Sequence, residues 1–259
     1  MLTRRTALFG VVLLSQFVGM IMALALALAR GETAPMAMDV VWSVLGGMAG
    51  GIGITALYHG LAVGRMGVVA PITAVFAALI PVGAGIVLEG IPTPLVLFGI
   101  GLAIAGVILV SQVGDERPGP PSPSGFRFAF VAGVGLGCLG IFIAQISDGH
   151  VFGPLTIIRG TEALLIGTLV LVTRAAWRPA RGLMPAVAAV GILDMAGNGA
   201  FILAVQAGSL AIAAVLSSLY PVTTVLLAAV VLRERVTLTH AMGIALAIAA
   251  IMCIAAGSA

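Results

Sequence analysis

The sequence contains no lysine. Its twelve basic residues are all arginines, and with nine acidic residues they make up only 8% of 259 positions. A chain this poor in charge presents no basic face, so the formal net charge of +3 does not point to nucleic acid as a partner. The two cysteines, Cys138 and Cys253, sit in apolar runs, where a thiol behaves as a small hydrophobe and forms no disulfide or redox motif. His59, His150 and His240 are scattered over three distant places and lack the spacing of zinc ligands. No nucleophile, base and orienting group gather in the sequence, so neither an enzyme nor a cofactor is expected.

What fills the space left by charge is apolar: 61% of the residues, with a mean hydropathy of +1.24. These values belong to an integral membrane protein. A helix needs about 20 apolar residues to cross the hydrocarbon core. Charges, prolines and glycines divide the chain into nine such segments, near 7–29, 40–62, 67–88, 93–112, 126–146, 152–173, 183–206, 210–232 and 237–257. The expected fold is therefore all-α and polytopic, with the lipid bilayer as its solvent. Most connections are short, but "GDERPGPPSPSG" at 114–125 carries charges and four prolines and reads as a stiff, solvated linker between two halves, 1–113 and 126–259.

The seam prompts a search for duplication. At an offset of 144 residues "GIGLAIA" (99–105) lies over "GIALAIA" (243–249), identical at six of seven positions. Gly64 then falls on Gly208, Ala84 on Ala228, Val87 and Leu88 on Val231 and Leu232, and Thr93 on Thr237, while Glu89 misses Glu234 by one. Shared membrane composition is the plainer alternative. The offset places residues 7–29 over 151–173, deep inside the chain, so the arginine pair and apolar run of "TRRTALFGVV" read as a retained helix rather than an export signal, whose apolar core is about 7–15 residues. Segment 126–146 has no counterpart before Met1. The chain reads as four helices plus five, the first repeat lacking its first helix.

The stretch "LAVQAGSLAIAAVLSSLYPVTTVLLAAVVLRERVTLTHAMGIALAIAAI" (203–251) and its partner at 61–109, with Pro71, Pro81 and Glu89, resemble the closing helices of EamA-type proteins of the drug/metabolite transporter superfamily. The resemblance implies two inverted five-helix repeats, a central cavity and alternating-access movement of a small metabolite. The absent first helix leaves open the cavity wall it would form.

Orientation is contested. With nine spans, the end bearing the N-terminus carries Arg4, Arg5, Arg65, Arg117, Arg127, Arg174, Arg178, Arg181, Arg233 and Arg235, against Arg30 alone at the other. The positive-inside rule puts the N-terminus in the cytoplasm. The resemblance, with a first helix missing, puts Met1 outside.

Ionisable groups at membrane depth are costly and are functional candidates by default. Arg159 and Glu162 are three apart and share a helix face, and Asp194 lies at a similar depth on the next helix with Asn198 four residues on. One cation beside two carboxylates leaves an excess negative charge that a proton or a cationic solute would neutralise, while Arg159 could hold an anionic solute through paired hydrogen bonds. The alternative role is a lock between helices. Gln145, Tyr220, Ser217 and Ser218 are further cavity candidates, although such groups also bridge helices. Tyr58, His59, Trp42 and Trp177 read as interfacial anchors. Pro71, Pro81 and Pro221 interrupt helical hydrogen bonding and are candidate hinges. "GLGCLG" (135–140) matches a dinucleotide fingerprint but lies inside an apolar helix, so its glycines, like Gly46, Gly47, Gly50 and Gly51, mark close helix contact. The expectation is a transporter of a small organic solute in the cell membrane, with protons as a candidate coupling ion. The alternatives are a non-transporting membrane scaffold or, third, a membrane enzyme acting on lipid.

Overall fold

Runs of 18 to 27 apolar residues, broken by Gly, Pro and charge, should fold as long helices, because in lipid every backbone group must be satisfied internally. The computed structural model of the chain describes residues 8–64, 66–111, 123–174, 177, 181–220, 222–223 and 237–257. Among them every long element is helical: α1 (Leu8–Arg30), α2 (Ala37–Val63), α3 (Met66–Glu89), α4 (Pro94–Ser111), α5 (Pro123–Ile143), α6 (Phe152–Thr173), α7 (Met184–Ala207), α8 (Leu210–Ser218) and α9 (Leu238–Gly257). Seven are long and apolar enough to cross a membrane: α1, α2, α3, α5, α6, α7 and α9, while α4 is shorter. The fold is thus that of an all-helical, polytopic membrane protein. Most of the expected span at 210–232 beyond α8, and the charged part of the Pro-rich linker, lie outside the described residues.

Local chemistry sets the ends. Pro123 opens α5, at the position where a missing N–H costs nothing. Gly90, at φ +100, ends α3 by donating its N–H to the Ile86 carbonyl at 3.2 Å, a backbone geometry open to glycine. Within α6, Thr156, Thr161, Thr168 and Thr173 each donate a hydroxyl to the carbonyl four residues back, at 2.7 to 2.9 Å, so four polar side chains enter an apolar helix without an unmet hydrogen bond. α3 runs unbroken through Pro71 and Pro81, both buried. The third candidate hinge, Pro221, lies outside the described residues.

One boundary differs from expectation. The segment expected at 126–146 ends as a helix at Ile143, so Gln145 lies in an exposed turn rather than within a span. The cause is visible in the turn: Asp39 at the start of α2 accepts from the backbone N–H of Ser147 at 3.0 Å and from its hydroxyl at 2.9 Å. These bonds hold residue 147 out of the helical path.

The helices form two compact units, Met1–Gly51 with Ile141–Ala207, and Ile52–Gly140 with Gly208–Ala259. Each draws on both sequence halves. In the first, α1 packs against α6 and α7; in the second, α4 packs against α9 and α3 against α8. The starts of α1 and α6 (Leu8, Phe152), α3 and α8 (Met66, Leu210), and α4 and α9 (Pro94, Leu238) are each separated by the 144 residues of the sequence match. Outward-facing apolar side chains such as Val87, at 83% exposure, and Leu28, at 74%, are the normal surface of a protein solvated by lipid.

Candidate functional site

A guanidinium is normally kept from an apolar interior by the cost of desolvation, and it persists there only with partners. Arg159, in the third turn of α6, is 2% exposed. Its Nη1 donates to Gln16 Oε1 on α1 at 2.6 Å, to Glu162 Oε2 on its own helix at 3.0 Å and to Asp194 Oδ2 on α7 at 2.6 Å. One nitrogen therefore joins three helices of the first unit. Glu162 is 3% exposed, whereas the Asp194 side chain is 48% exposed.

The approach that permits this rests on glycine. A Cβ on Gly191 of α7 would collide with the backbone carbonyl of Ser15 on α1, and one on Gly19 would lie 3.2 Å from the Gly191 carbonyl and 3.7 Å from Arg159 Cδ. Without side chains at these positions, the two backbones come close enough for Gln16 and Asp194 to reach the same nitrogen. On the other flank, a Cβ on Gly51 of α2 would stand 3.6 Å from Glu162 Cα, so α2 closes over the Glu162 side of the cluster.

With both carboxylates ionised, the cluster holds one positive and two negative charges. The remaining guanidinium donors, Nε and Nη2, are buried and have no hydrogen-bond partner among the described residues. The arrangement can therefore take a proton or cation at the exposed carboxylate, while the unused guanidinium edge is closed off inside the unit.

The structure thus brings Arg159, Glu162 and Asp194 together. Asn198, one turn along α7, takes no part in these hydrogen bonds. Gln145 sits in the exposed turn after α5, and Tyr220, 51% exposed, belongs to the second unit. Ser218 donates its hydroxyl to the Val215 carbonyl at 2.7 Å, a bond within its own segment. Gln16, 3% exposed, was not singled out from the sequence. Its signal was present: Ser15 and Gln16 are the only polar residues in α1 before its final Arg30.

A second polar assembly closes the end of the first unit where α2 and α6 begin. Glu32 Oε2 accepts from the N–H groups of Phe152 and Gly153, both at 2.9 Å, capping α6 with a charge that suits a helix N-terminus. Asp39, 1% exposed, also accepts from the Met36 N–H at 3.2 Å and lies 3.9 Å from His150 Nδ1. His150 Nε2 hydrogen-bonds with the Thr33 hydroxyl at 3.0 Å. Gln206 donates to the carbonyls of Ser147 and His150 at 3.2 and 3.1 Å. Six of these eight hydrogen bonds engage backbone groups, which marks the assembly as a structural closure, while Glu32 Oε1 and His150 Nδ1 are buried without a hydrogen-bond partner among the described residues. Among the described residues, no three His, Cys, Asp or Glu side chains gather to hold a metal ion.

Comparison with known proteins places this geometry in context. The sequence model of the EamA-like transporter family matches residues 123–256. No curated protein matches the chain. A solved structure, described only as a crystal structure of a protein, superposes with a TM-score of 0.79 at 20% identity, covering 96% of this chain and 88% of that one. At that identity the likeness is one of fold.

Proposed function

We propose, from the premise that the chain belongs to the EamA-like transporter family, that it carries a small organic solute across the cell membrane by alternating access, with the Arg159 cluster handling solute and proton. The observation that carries this reading is the asymmetry of the cluster. Gln16 and Glu162 fix the guanidinium from buried positions, while Asp194 pairs with it from a side chain that is half exposed. An exposed carboxylate on a buried cation is a place where a proton or a solute ammonium group exchanges against the arginine. When Asp194 is neutralised, Arg159 keeps Glu162 and Gln16, and the buried charge stays paired throughout.

The duplicated layout supports this reading as well. Helix pairs that start 144 residues apart are five helices apart in the chain, counting α5. An odd separation makes the mates cross the membrane in opposite directions, the layout of an inverted repeat.

A helix lock is the second reading, favoured by the fact that one nitrogen bridges α1, α6 and α7. Proton flux into sealed liposomes, followed with an internal pH dye while amino acids, amines and sugars are added, separates the two. A solute-dependent signal that Glu162→Gln or Asp194→Asn abolishes, with folded protein recovered, supports transport. Loss of folded protein in both variants supports the lock.

A further inference from the structure

Apart from the polar cluster, the first unit carries a groove of about 460 Å³ between α1 and α6. Phe17 and Met20 on α1 and Gly160, Gly167 and Leu171 on α6 line it, and Trp177 stands at one end. Part of its lining is exposed: Leu171 is 79% exposed and Trp177 46%. Its floor is open because of the two glycines. A Cβ on Gly160 would find only Met20 Sδ, at 3.5 Å, and one on Gly167 only Leu13 Cδ1, at 3.7 Å. The one hydroxyl in the lining, on Thr168, is already bonded to the Leu164 carbonyl at 2.8 Å. Apart from Trp177 at its end, which carries an indole N–H, the lining side chains offer no free hydrogen-bonding group, so a polar solute has little purchase along the groove.

The length and the ends of the groove specify its occupant. From Gly160 to Leu171 the lining rises about 16 Å along α6, close to half of the roughly 30 Å hydrocarbon core, and therefore one leaflet. The groove runs toward the C-terminal end of α6. There the Trp177 backbone lies against Gly10 of α1, and exposed Arg174 caps α6 in a left-handed conformation at φ 51. An aromatic ring in the lining and an exposed cation three residues beyond Leu171 match the interface and headgroup of a lipid with a negative phosphate. A second copy of the chain would have to insert a helix about 10 Å wide into a gap between two helices already in contact; a single acyl chain needs no such opening.

We infer that the α1/α6 groove binds one acyl chain of an anionic phospholipid from the leaflet at the C-terminal end of α6, with its phosphate held at Arg174. The site is separate from the Arg159 cluster and does not depend on the transport reading. It is tested by native mass spectrometry of the full chain released from nanodiscs of equimolar phosphatidylglycerol and phosphatidylethanolamine. Wild type is expected to retain one phospholipid and to favour phosphatidylglycerol. Gly167→Leu, which fills the floor without meeting backbone, is expected to lose the lipid, and Gly160→Val gives a second filling variant should the first not fold. Arg174→Gln is expected to keep a lipid but to lower the preference for phosphatidylglycerol about five-fold, the share of one interfacial arginine. Wild type released without lipid, equal retention in a folded filled variant, an unchanged preference in Arg174→Gln, or a dimer that the filled variant disrupts would each overturn the inference.

Discussion

Arg159→Met and Glu162→Gln should separate sharply in stability, although they alter two ends of one 3.0 Å hydrogen bond. Arg159→Met keeps most of the side-chain volume and removes the donor. Glu162, 3% exposed, then lies in an apolar interior with no counter-charge, and Gln16, also 3% exposed, loses its donor. Removing one partner of a buried pair costs about 3–5 kcal/mol. Glu162→Gln instead leaves a carbonyl oxygen where Oε2 accepts from Nη1, and Asp194 still balances the guanidinium. What is lost is the difference between a charge-assisted and a neutral hydrogen bond, about 1 kcal/mol. At about 2–4 °C per kcal/mol for chains of 150–250 residues, the expected drops in Tm are about 2–4 °C for Glu162→Gln and at least three times that for Arg159→Met. The assay is thermal unfolding in one fixed detergent, paired with solute-driven proton flux in liposomes, which Glu162→Gln should reduce although it folds. An Arg159→Met protein within about 2 °C of wild type would refute the burial argument. Full proton flux in Glu162→Gln would remove Glu162 from the coupling path.

Four further outcomes follow from the same geometry. Asp194→Asn, at a half-exposed side chain, should cost less than about 1 kcal/mol of stability yet change solute selectivity, read by competition in the flux assay. Gln16→Leu should cost about 1–3 kcal/mol, because it takes an acceptor from a buried guanidinium that already has two idle donors. Gly191→Ala, whose methyl would collide with the Ser15 carbonyl, should lower stability by about 1–3 kcal/mol, whereas Gly197→Ala, with nothing within 4 Å, should be neutral or slightly stabilising; melting of the two purified variants decides. Glu32→Ala should expose the Phe152 and Gly153 amides to faster hydrogen exchange and cost about 1 kcal/mol.

The spans were legible because their signal is local: α1, α3, α6, α7 and α9 start within about two residues of the apolar runs that announced them. Helix spacing and depth put Arg159, Glu162 and Asp194 within reach of one another but left open which carboxylate Arg159 would meet; it meets both. Gln16 was not legible, since an amide in an apolar run carries no charge to flag it, and its partner is 143 residues away. Gln145 was misplaced for a related reason. The run through "GIFIAQIS" is apolar enough to read as helix, and what ends the helix is the distant carboxylate of Asp39. Glu32 and Asp39 were not singled out and Glu89 was noted only within the repeat, yet each has its specific work on another segment: Glu89 receives the Ser209 hydroxyl and the Leu210 N–H at the start of α8. Long-range capping of this kind leaves no periodicity in the sequence.

The cluster's asymmetry bears on what separates a lock from a site. A lock gains from burying all of its partners, because each screened contact contributes less. Here the two partners that set the position of Arg159 are buried and the third is not. The closest helix approach, at Gly191 against Ser15, lies one turn before Asp194 on α7, so backbone packing already joins α1 to α7 without help from the carboxylate. Asp194 is then superfluous as a fastener, while it remains the one charged group of the cluster whose side chain is exposed. The same packing explains why Arg159 can stay paired when Asp194 is neutralised: Gln16 and Glu162 are held by α1 and α6, whose contact does not pass through α7.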